Sequence, residues 1–197
     1  CNHDTARLAP RLTPEELAVV YGMILTMPGV PFLYYGDEIG MRYRDLPTKE
    51  GGYVRTGTRT PMQWDASANL GFSTTDTDAL YLPVDPASDA PTVEAQRADD
   101  GSLYHWVRNV LALRGTHAAL QADAAFDVVA APEHGRLFAY ARTSRDGSDR
   151  LVIALNPGLG TESFPLPDAA TSHGTPTMEL SRGNVAADGT TVTLGPQ

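Results

Sequence analysis

The chain has 197 residues, 42% of them hydrophobic, and its 24 acidic residues outnumber the 15 basic ones for a net charge of -9. This is enough apolar material for one sizeable core or two small ones, and no apolar run reaches the length of a membrane-spanning helix. With one lysine, Lys49, and an acidic surface, neither nucleic acid nor membrane is an expected partner, and the lone Cys1 excludes an internal disulfide or a multi-thiolate metal site.

The chain opens on Cys1-Asn2-His3-Asp4 without an initiator methionine or an apolar signal stretch. It closes on Val192–Gln197 as if entering another strand, so both ends are expected to be cut. The expected location is the cytoplasm.

Thr13-Pro14-Glu15-Glu16 is a helix start: Thr13 can cap, Pro14 suits the first helical position, and Glu16 can return the capping-box hydrogen bond. Leu17, Val20, Tyr21, Ile24 and Leu25 then form one apolar face, and Pro28-Gly29 stops the helix. Val30 to Tyr35 is a short apolar run that predicts a buried parallel strand, making a helix-strand unit of the α/β kind.

From Gly36 to about Asp100 the chain is irregular and rich in Gly, Pro, Asp and Thr, a length that in α/β proteins usually carries binding residues. Asp100 is the expected cap of a second helix, with Leu103, Val107, Val110 and Leu111 on its buried face, Arg114 at its basic end and Gly115 as its stop. After about Ala118 short β-rich runs follow at 125–130, 136–142 and 150–155, and Asp188-Gly189 predicts a hairpin turn before 190–194. This spacing predicts a small antiparallel sandwich, with the boundary between the two regions near residue 119.

None of the five histidines pairs with another at zinc-site spacing, and His105, His117, His134 and His173 read as surface or hydrogen-bonded groups. No G-x-S-x-G nucleophile elbow and no phosphate-binding glycine loop occurs. Carboxylates near strand ends remain: Asp4 at the start, and Asp37-Glu38 directly after the expected strand, where α/β sheets place their active sites. For Asp37-Glu38 a loop-capping role is the simpler reading.

The passage Met23–Met41, with Met27-Pro28-Gly29-Val30-Pro31 leading into Tyr34-Tyr35-Gly36-Asp37-Glu38-Ile39-Gly40, closely resembles the last helix-strand passage of the α-amylase superfamily barrel, glycoside hydrolase family 13. Asn2-His3-Asp4 resembles that family's fourth conserved segment, at the end of the seventh barrel strand. Arg59-Thr60-Pro61-Met62-Gln63-Trp64-Asp65 resembles a segment typical of its α-glucosidase, oligo-1,6-glucosidase and trehalose synthase branches. The three occur in the family's order, and the likeness extends more loosely into the β-rich tail.

The resemblance implies an α/β plus all-β protein: residues 1–118 as the C-terminal portion of a (β/α)8 TIM barrel, and 119–197 as an antiparallel β-sandwich domain, incomplete at its end. It implies a retaining glycosidase that acts on α-glucosidic bonds with a carboxylate nucleophile and a carboxylic acid/base. Asp4 matches the third, transition-state-stabilising carboxylate, His3 the neighbouring histidine that donates to the same sugar ring, and Arg59 the arginine that closes the blind end of the pocket. Gln63, Trp64 and Asp65 are expected to fold the loop.

The family's nucleophile and acid/base belong to the fourth and fifth barrel strands, which would precede residue 1, and a whole barrel takes roughly 250 residues. The isolated chain is therefore expected to be inactive. It is also expected to pair with the missing N-terminal barrel portion or to self-associate, covering an apolar helix face (Leu17, Val20, Ile24) and an open strand edge. No cofactor or metal is implied; the partner is an α-glucoside or short oligosaccharide. A trehalose synthase-type isomerase and a non-catalytic carbohydrate-binding or scaffold relative are the alternatives.

Overall fold

The computed structural model describes residues 1–49, 54–167 and 176–196. His173 lies outside these residues. The chain divides into two compact units, one of Cys1–Ala18 with Phe32–Arg108, the other of Val19–Pro31 with Asn109–Gln197.

In the first unit, helix α1 (Pro14–Thr26) begins with the expected capping box. The Thr13 N–H donates to Glu16 Oε2 at 2.8 Å and the Glu16 N–H to Thr13 Oγ1 at 3.3 Å, so two of the orphaned first-turn donors are satisfied reciprocally. Leu17 and Leu103 approach Gly40 closely enough that a Cβ there would meet both, at 3.7 and 3.6 Å. Leu17 is therefore buried and not part of an open helix face, whereas Ile24 further along is partly exposed.

The expected strand at 30–35 does not form. The backbone over 30–34 joins no ladder, and Val30 and Phe32 are 73% and 83% exposed. A strand exists only through hydrogen bonds to a neighbour, and the described residues place none beside it. The chain then reverses at Gly36, whose positive φ of 80° suits glycine and whose carbonyl accepts from the Met41 N–H at 2.9 Å.

The long stretch after Gly36 is ordered by side chains reaching across it. Arg42 donates to the Asp89 carboxylate and to the Asp89 carbonyl, both at 2.9 Å. Arg44 donates to the Val84 carbonyl, and Gln63 to that of Pro91. Within this stretch lies a short helix that the sequence reading did not anticipate, α2 (Val93–Ala98), capped by Thr92 Oγ1 accepting from the Ala95 N–H. Helix α3 (Leu103–Thr116) is capped by Ser102 and not by Asp100: Ser102 Oγ accepts from the His105 N–H at 3.3 Å. It runs through Gly115, with Thr116 Oγ1 bonding back to the Ala112 carbonyl, and Leu111 faces solvent.

The second unit holds two three-stranded antiparallel sheets. One comprises β1 (Ala125–Ala130), β2 (Phe138–Thr143) and β3 (Arg150–Leu155) in that order. The other has β4 (Glu162–Pro165), β6 (Thr191–Leu194) and β5 (Val185–Ala187), with β6 central. Tyr140 stands opposite Val128 and Ile153, and Phe164 opposite Val192. Leu137 and Ala139 of the first sheet's side and Phe164 and Leu194 of the second bury themselves in one apolar cluster with Val152, Val185 and Val192. The β5–β6 hairpin closes as expected: Asp188 Oδ1 accepts from the Thr190 and Thr191 N–H groups at 3.0 and 2.7 Å, and Gly189 takes φ 91°.

The same unit contains the C-terminal half of α1, which ends on two arginines. Arg142, 0% exposed, donates to the carbonyls of Thr26 (2.6 Å), Gln121 (2.8 Å), Ala124 (3.2 Å) and Ala125 (3.1 Å). Arg114 donates to those of Leu25, Met27 and Gly29 at 2.7, 3.1 and 2.6 Å. Cations at the negative end of a helix satisfy its orphaned carbonyls and its dipole together.

Candidate active site

The site begins with a tight turn at the start of the chain. Asn2 Oδ1 accepts from the Asp4 N–H at 2.8 Å, and Thr5 Oγ1 accepts from the Asn2 N–H at 3.1 Å, so the Asp4 side chain is held outward. The next residues are tied to the turn 54–58. Thr58 Oγ1 donates to the Thr5 carbonyl at 2.6 Å, and the buried Arg7 donates from Nε to the Thr58 carbonyl at 3.2 Å. A Cβ on Gly57 would fall 1.5 Å from the Arg44 carbonyl oxygen, so glycine is required there for the turn to pack.

The three residues singled out from the sequence meet. Arg59 Nη2 donates to Asp4 Oδ1 at 3.0 Å and its Nε to the His3 carbonyl at 2.9 Å, while His3 Nε2 lies 3.1 Å from Asp4 Oδ2. Arg55, which the sequence reading passed over, brings a second guanidinium to Asp4 Oδ1 at 3.4 Å. Partial burial pushes the Asp4 carboxyl up, but the His3 ring and the hydrogen bonds from Arg55 and Arg59 outweigh it and hold the pKa below the ordinary aspartate value. Asp4 is therefore an ionised carboxylate, half exposed, with cationic donors behind it.

Asp37 and Glu38 separate in role. Asp37 is buried and accepts from Arg7 Nη1 at 3.0 Å and from the amino group of Cys1 at 3.2 Å. Arg7 lies 4.9 Å from the ring centroids of both Tyr34 and Tyr35, so the first unit carries a buried cation between two aromatic faces and a carboxylate. Asp37 is thus a structural counter-ion. Glu38 lines a cleft of about 520 Å³ together with Arg59, Tyr35, Trp64, Phe72 and Tyr81. Burial raises the Glu38 pKa from its ordinary value. Tyr35 Oη donates to the Thr60 carbonyl at 2.7 Å, and burial with Tyr35 alongside pushes the Tyr34 hydroxyl up to about 12.

Gln63 and Asp65 work on the loop itself: Asp65 Oδ1 accepts from the Ser67 N–H, and the Trp64 N–H donates to the Leu70 carbonyl. The Trp64 ring is half exposed on the cleft. Outside the site, His105 Nε2 lies 3.1 Å from the Arg97 carbonyl, and His117 Nδ1 lies 3.1 Å from Asp149 Oδ1. Among the described residues no group of His, Cys, Asp and Glu could hold a metal ion, and no helix is long and apolar enough to cross a membrane. Arg7 and Arg55 are absent from the sequence analysis because no pattern read there singles them out.

Comparison with known proteins gives this geometry a context. Residues 1–123 match the model of the alpha amylase catalytic domain. Over 169 residues the chain is 37% identical to the trehalose synthase of Thermus thermophilus, which covers 82% of this chain and 16% of that protein. It is 32% identical over 164 residues to Maltase A2 of Drosophila melanogaster, covering 82% of this chain and 28% of that protein. With the oligo-1,6-glucosidase of Heyndrickxia coagulans it shares 28% identity over 230 residues, 99% of this chain and 39% of that protein. The chain thus spans well under half the length of these curated relatives. Among solved structures, the trehalulose synthase of Pseudomonas mesoacidophila MX-45 superposes on the whole chain with a TM-score of 0.75 at 24% identity, covering 40% of that protein.

Proposed function

Because the chain belongs to the alpha amylase catalytic-domain family, we propose that it is the C-terminal portion of a glycosidase-type enzyme acting on α-glucosidic bonds of disaccharides or short α-glucans. Residues 1–118 complete its (β/α)8 barrel, a division supported by the family match over 1–123, and 119–197 form its antiparallel β domain. The observation that carries the reading is the Asp4–His3–Arg59 cluster: an ionised, half-exposed carboxylate with one edge held by guanidinium and the other beside an imidazole.

In a retaining hydrolysis a nucleophile and an acid/base flank the bond, and positive charge develops at the anomeric carbon. Asp4 accepts hydrogen bonds from two ring hydroxyls of the glucosyl unit, an interaction that strengthens as the ring flattens and its hydroxyls become more acidic. His3 donates to the same ring. Arg59 fixes Asp4 and the backbone of residue 3 in one geometry and closes the pocket behind the sugar. The nucleophile and the acid/base come from the upstream barrel strands of the longer protein. The test is complementation: this chain mixed with the separately made upstream portion, assayed on 4-nitrophenyl α-glucoside. Turnover requires both parts and is lost with Asp4→Asn; turnover by residues 1–197 alone overturns the reading.

A second reading, isomerisation of the trehalose synthase type, draws on the 37% identity to the Thermus thermophilus enzyme. Such a reaction keeps water out while the glucosyl unit is transferred back to the released sugar. Products from maltose separate the two: glucose alone for hydrolysis, trehalose for isomerisation.

A further inference from the structure

Asn69 and Leu70 both take φ 55°, and Gly71 follows at φ 71°, so three successive residues share the left-handed region. Glycine adopts that region freely and asparagine at a small cost, but a leucine there is strained. We propose that Asn69 is a positioning residue: its buried amide holds Leu70 in the strained conformation, and Leu70 thereby sets the Trp64 and Phe72 rings as substrate-contacting walls of the cleft. The proposal rests on the glucosidase reading above, since Arg59 lines the same cleft, and extends it to a residue outside the segments that carry the family resemblance.

The left-handed turn is tied to both rings through the main chain. The Leu70 carbonyl accepts from the Trp64 N–H at 2.8 Å and from the Asp65 N–H at 3.4 Å, while the Leu70 N–H donates to the Ser67 carbonyl at 3.0 Å. The Trp64 carbonyl accepts from the Glu94 N–H at 2.9 Å, so the main chain of Trp64 is held on both sides. The Phe72 N–H donates to the Asn69 carbonyl at 3.1 Å. Each ring is about half exposed, and both line the cleft. A Cβ on Gly71 would fall 2.6 Å from an Asp65 carboxylate oxygen, so only glycine lets the turn close this tightly.

Asn69 supplies what keeps Leu70 left-handed. It is 7% exposed, and both its amide hydrogens and its amide oxygen are engaged. Nδ2 donates to the Ser73 and Thr75 carbonyls at 3.0 and 2.7 Å, and Oδ1 accepts from Thr77 Oγ1 at 2.8 Å. Strained backbone persists only where its surroundings over-determine it, and such positions concentrate where geometry serves a function. Without the amide, Leu70 relaxes to a negative φ and its carbonyl turns away from Trp64 and Asp65. The rings then lose the orientation that substrate would meet ready-made.

The test begins in the full 197-residue chain, by NMR at two positions. The one-bond Cα–Hα coupling of Leu70 reports the sign of its φ, and the indole resonances of Trp64 report the ring. Asn69→Ala moves Leu70 to negative φ and shifts the Trp64 signals. Asn69→Asp does the same, because aspartate tolerates the left-handed region but cannot donate to the two carbonyls. Adding Leu70→Gly to Asn69→Ala restores the Trp64 signals, since glycine takes positive φ without strain. Thr77→Val removes one of the three bonds to the amide and shifts Trp64 less; it decides the matter if Asn69→Ala does not fold. Trp64 signals unchanged in folded Asn69→Ala, or in Thr77→Val where Asn69→Ala is unfolded, overturn the proposal.

Activity then separates positioning from a merely structural role. In the longer protein Asn69→Ala raises KM for 4-nitrophenyl α-glucoside by roughly 10-fold at nearly unchanged kcat, as expected when binding common to ground and transition states is lost. A smaller folded fraction would instead lower the apparent kcat at constant KM, and that result overturns the proposal. If the longer wild-type protein shows no turnover while Trp64 still answers to Asn69, the glucosidase reading fails and the positioning of the rings stands. If turnover is normal in Asn69→Ala and Trp64 is unmoved, the proposal fails and the glucosidase reading stands.

Discussion

Arg59 grips residue 3 through its main chain and residue 4 through its side chain, two acceptors that a planar fork can span and a compact ammonium cannot. Arg59→Lys in the longer protein is therefore expected to lose on the order of 10- to 100-fold in kcat/KM. Arg59→Gln should lose at least as much, a ranking that steady-state kinetics on the two variants checks. Asp4→Asn keeps the shape and removes the charge, and a loss of about 10²- to 10³-fold in kcat is expected where that charge meets a developing cation.

A second residue-scale expectation concerns acid. Asp146 Oδ1 accepts from Ser144 Oγ at 2.7 Å and from Ser148 Oγ and N–H at 2.8 and 3.1 Å, which pulls the carboxyl down to about 2. A carboxyl depressed in the folded state stabilises the fold above its unfolded pKa, near 3.8, and that contribution is lost as pH falls toward 2. Melting curves between pH 5 and 2 should show Asp146→Ala losing less stability over that window than the unmutated chain.

At the scale of elements, the two ends of α1 make a controlled comparison. Its start is capped locally by Thr13 and Glu16, and Thr13→Ala is expected to cost about 1 kcal/mol. Its end depends on Arg142, a residue 116 positions away, and Arg142→Met strands four carbonyls, two of them buried, at an expected cost of ~3 kcal/mol. Chemical denaturation of the two variants tests the order as well as the sizes.

The contrast also explains what the sequence made legible. The capping box, the hairpin at Asp188-Gly189 and the strands of the first sheet are written in adjacent residues, and so could be read. Ser102 in place of Asp100, the short helix at 93–98 and the arginine-capped end of α1 depend on how the chain is tied together at a distance. The strand expected at 30–35 illustrates the same limit in reverse. Its apolar pattern describes a residue set suited to a buried strand, and a pattern cannot supply the neighbour that would make it one. In the site, Asp4, His3 and Arg59 were legible as parts of recognisable segments. Arg55 and the aromatic cleft were not, because they acquire meaning only through the turn that brings 54–58 back to residues 3–5.

At the scale of the whole molecule, the exposed Val30 and Phe32 and the open rings of Trp64, Phe72 and Tyr81 are large apolar groups in contact with water. The chain alone is expected to bind a solvatochromic dye such as ANS and to elute from a sizing column larger than its mass. The upstream portion should suppress both behaviours.

The arginine seam at the end of α1 has a separate consequence when the solution is acidified. Burial, together with Arg114 nearby, lowers the guanidinium pKa of Arg142, and burial lowers that of Arg114, yet arginine stays charged throughout the acid range and the carbonyls that receive its donors do not titrate. The turns at Asp146 and Asp188 and the His117–Asp149 contact are closed by carboxylates that protons neutralise. The second unit is thus made of a titrating rim and a proton-blind seam. Hydrogen exchange followed as the pH falls to 2 and below should find the amides of the β2–β3 and β5–β6 turns losing protection while those of Ala124 and of the last turn of α1 remain slow.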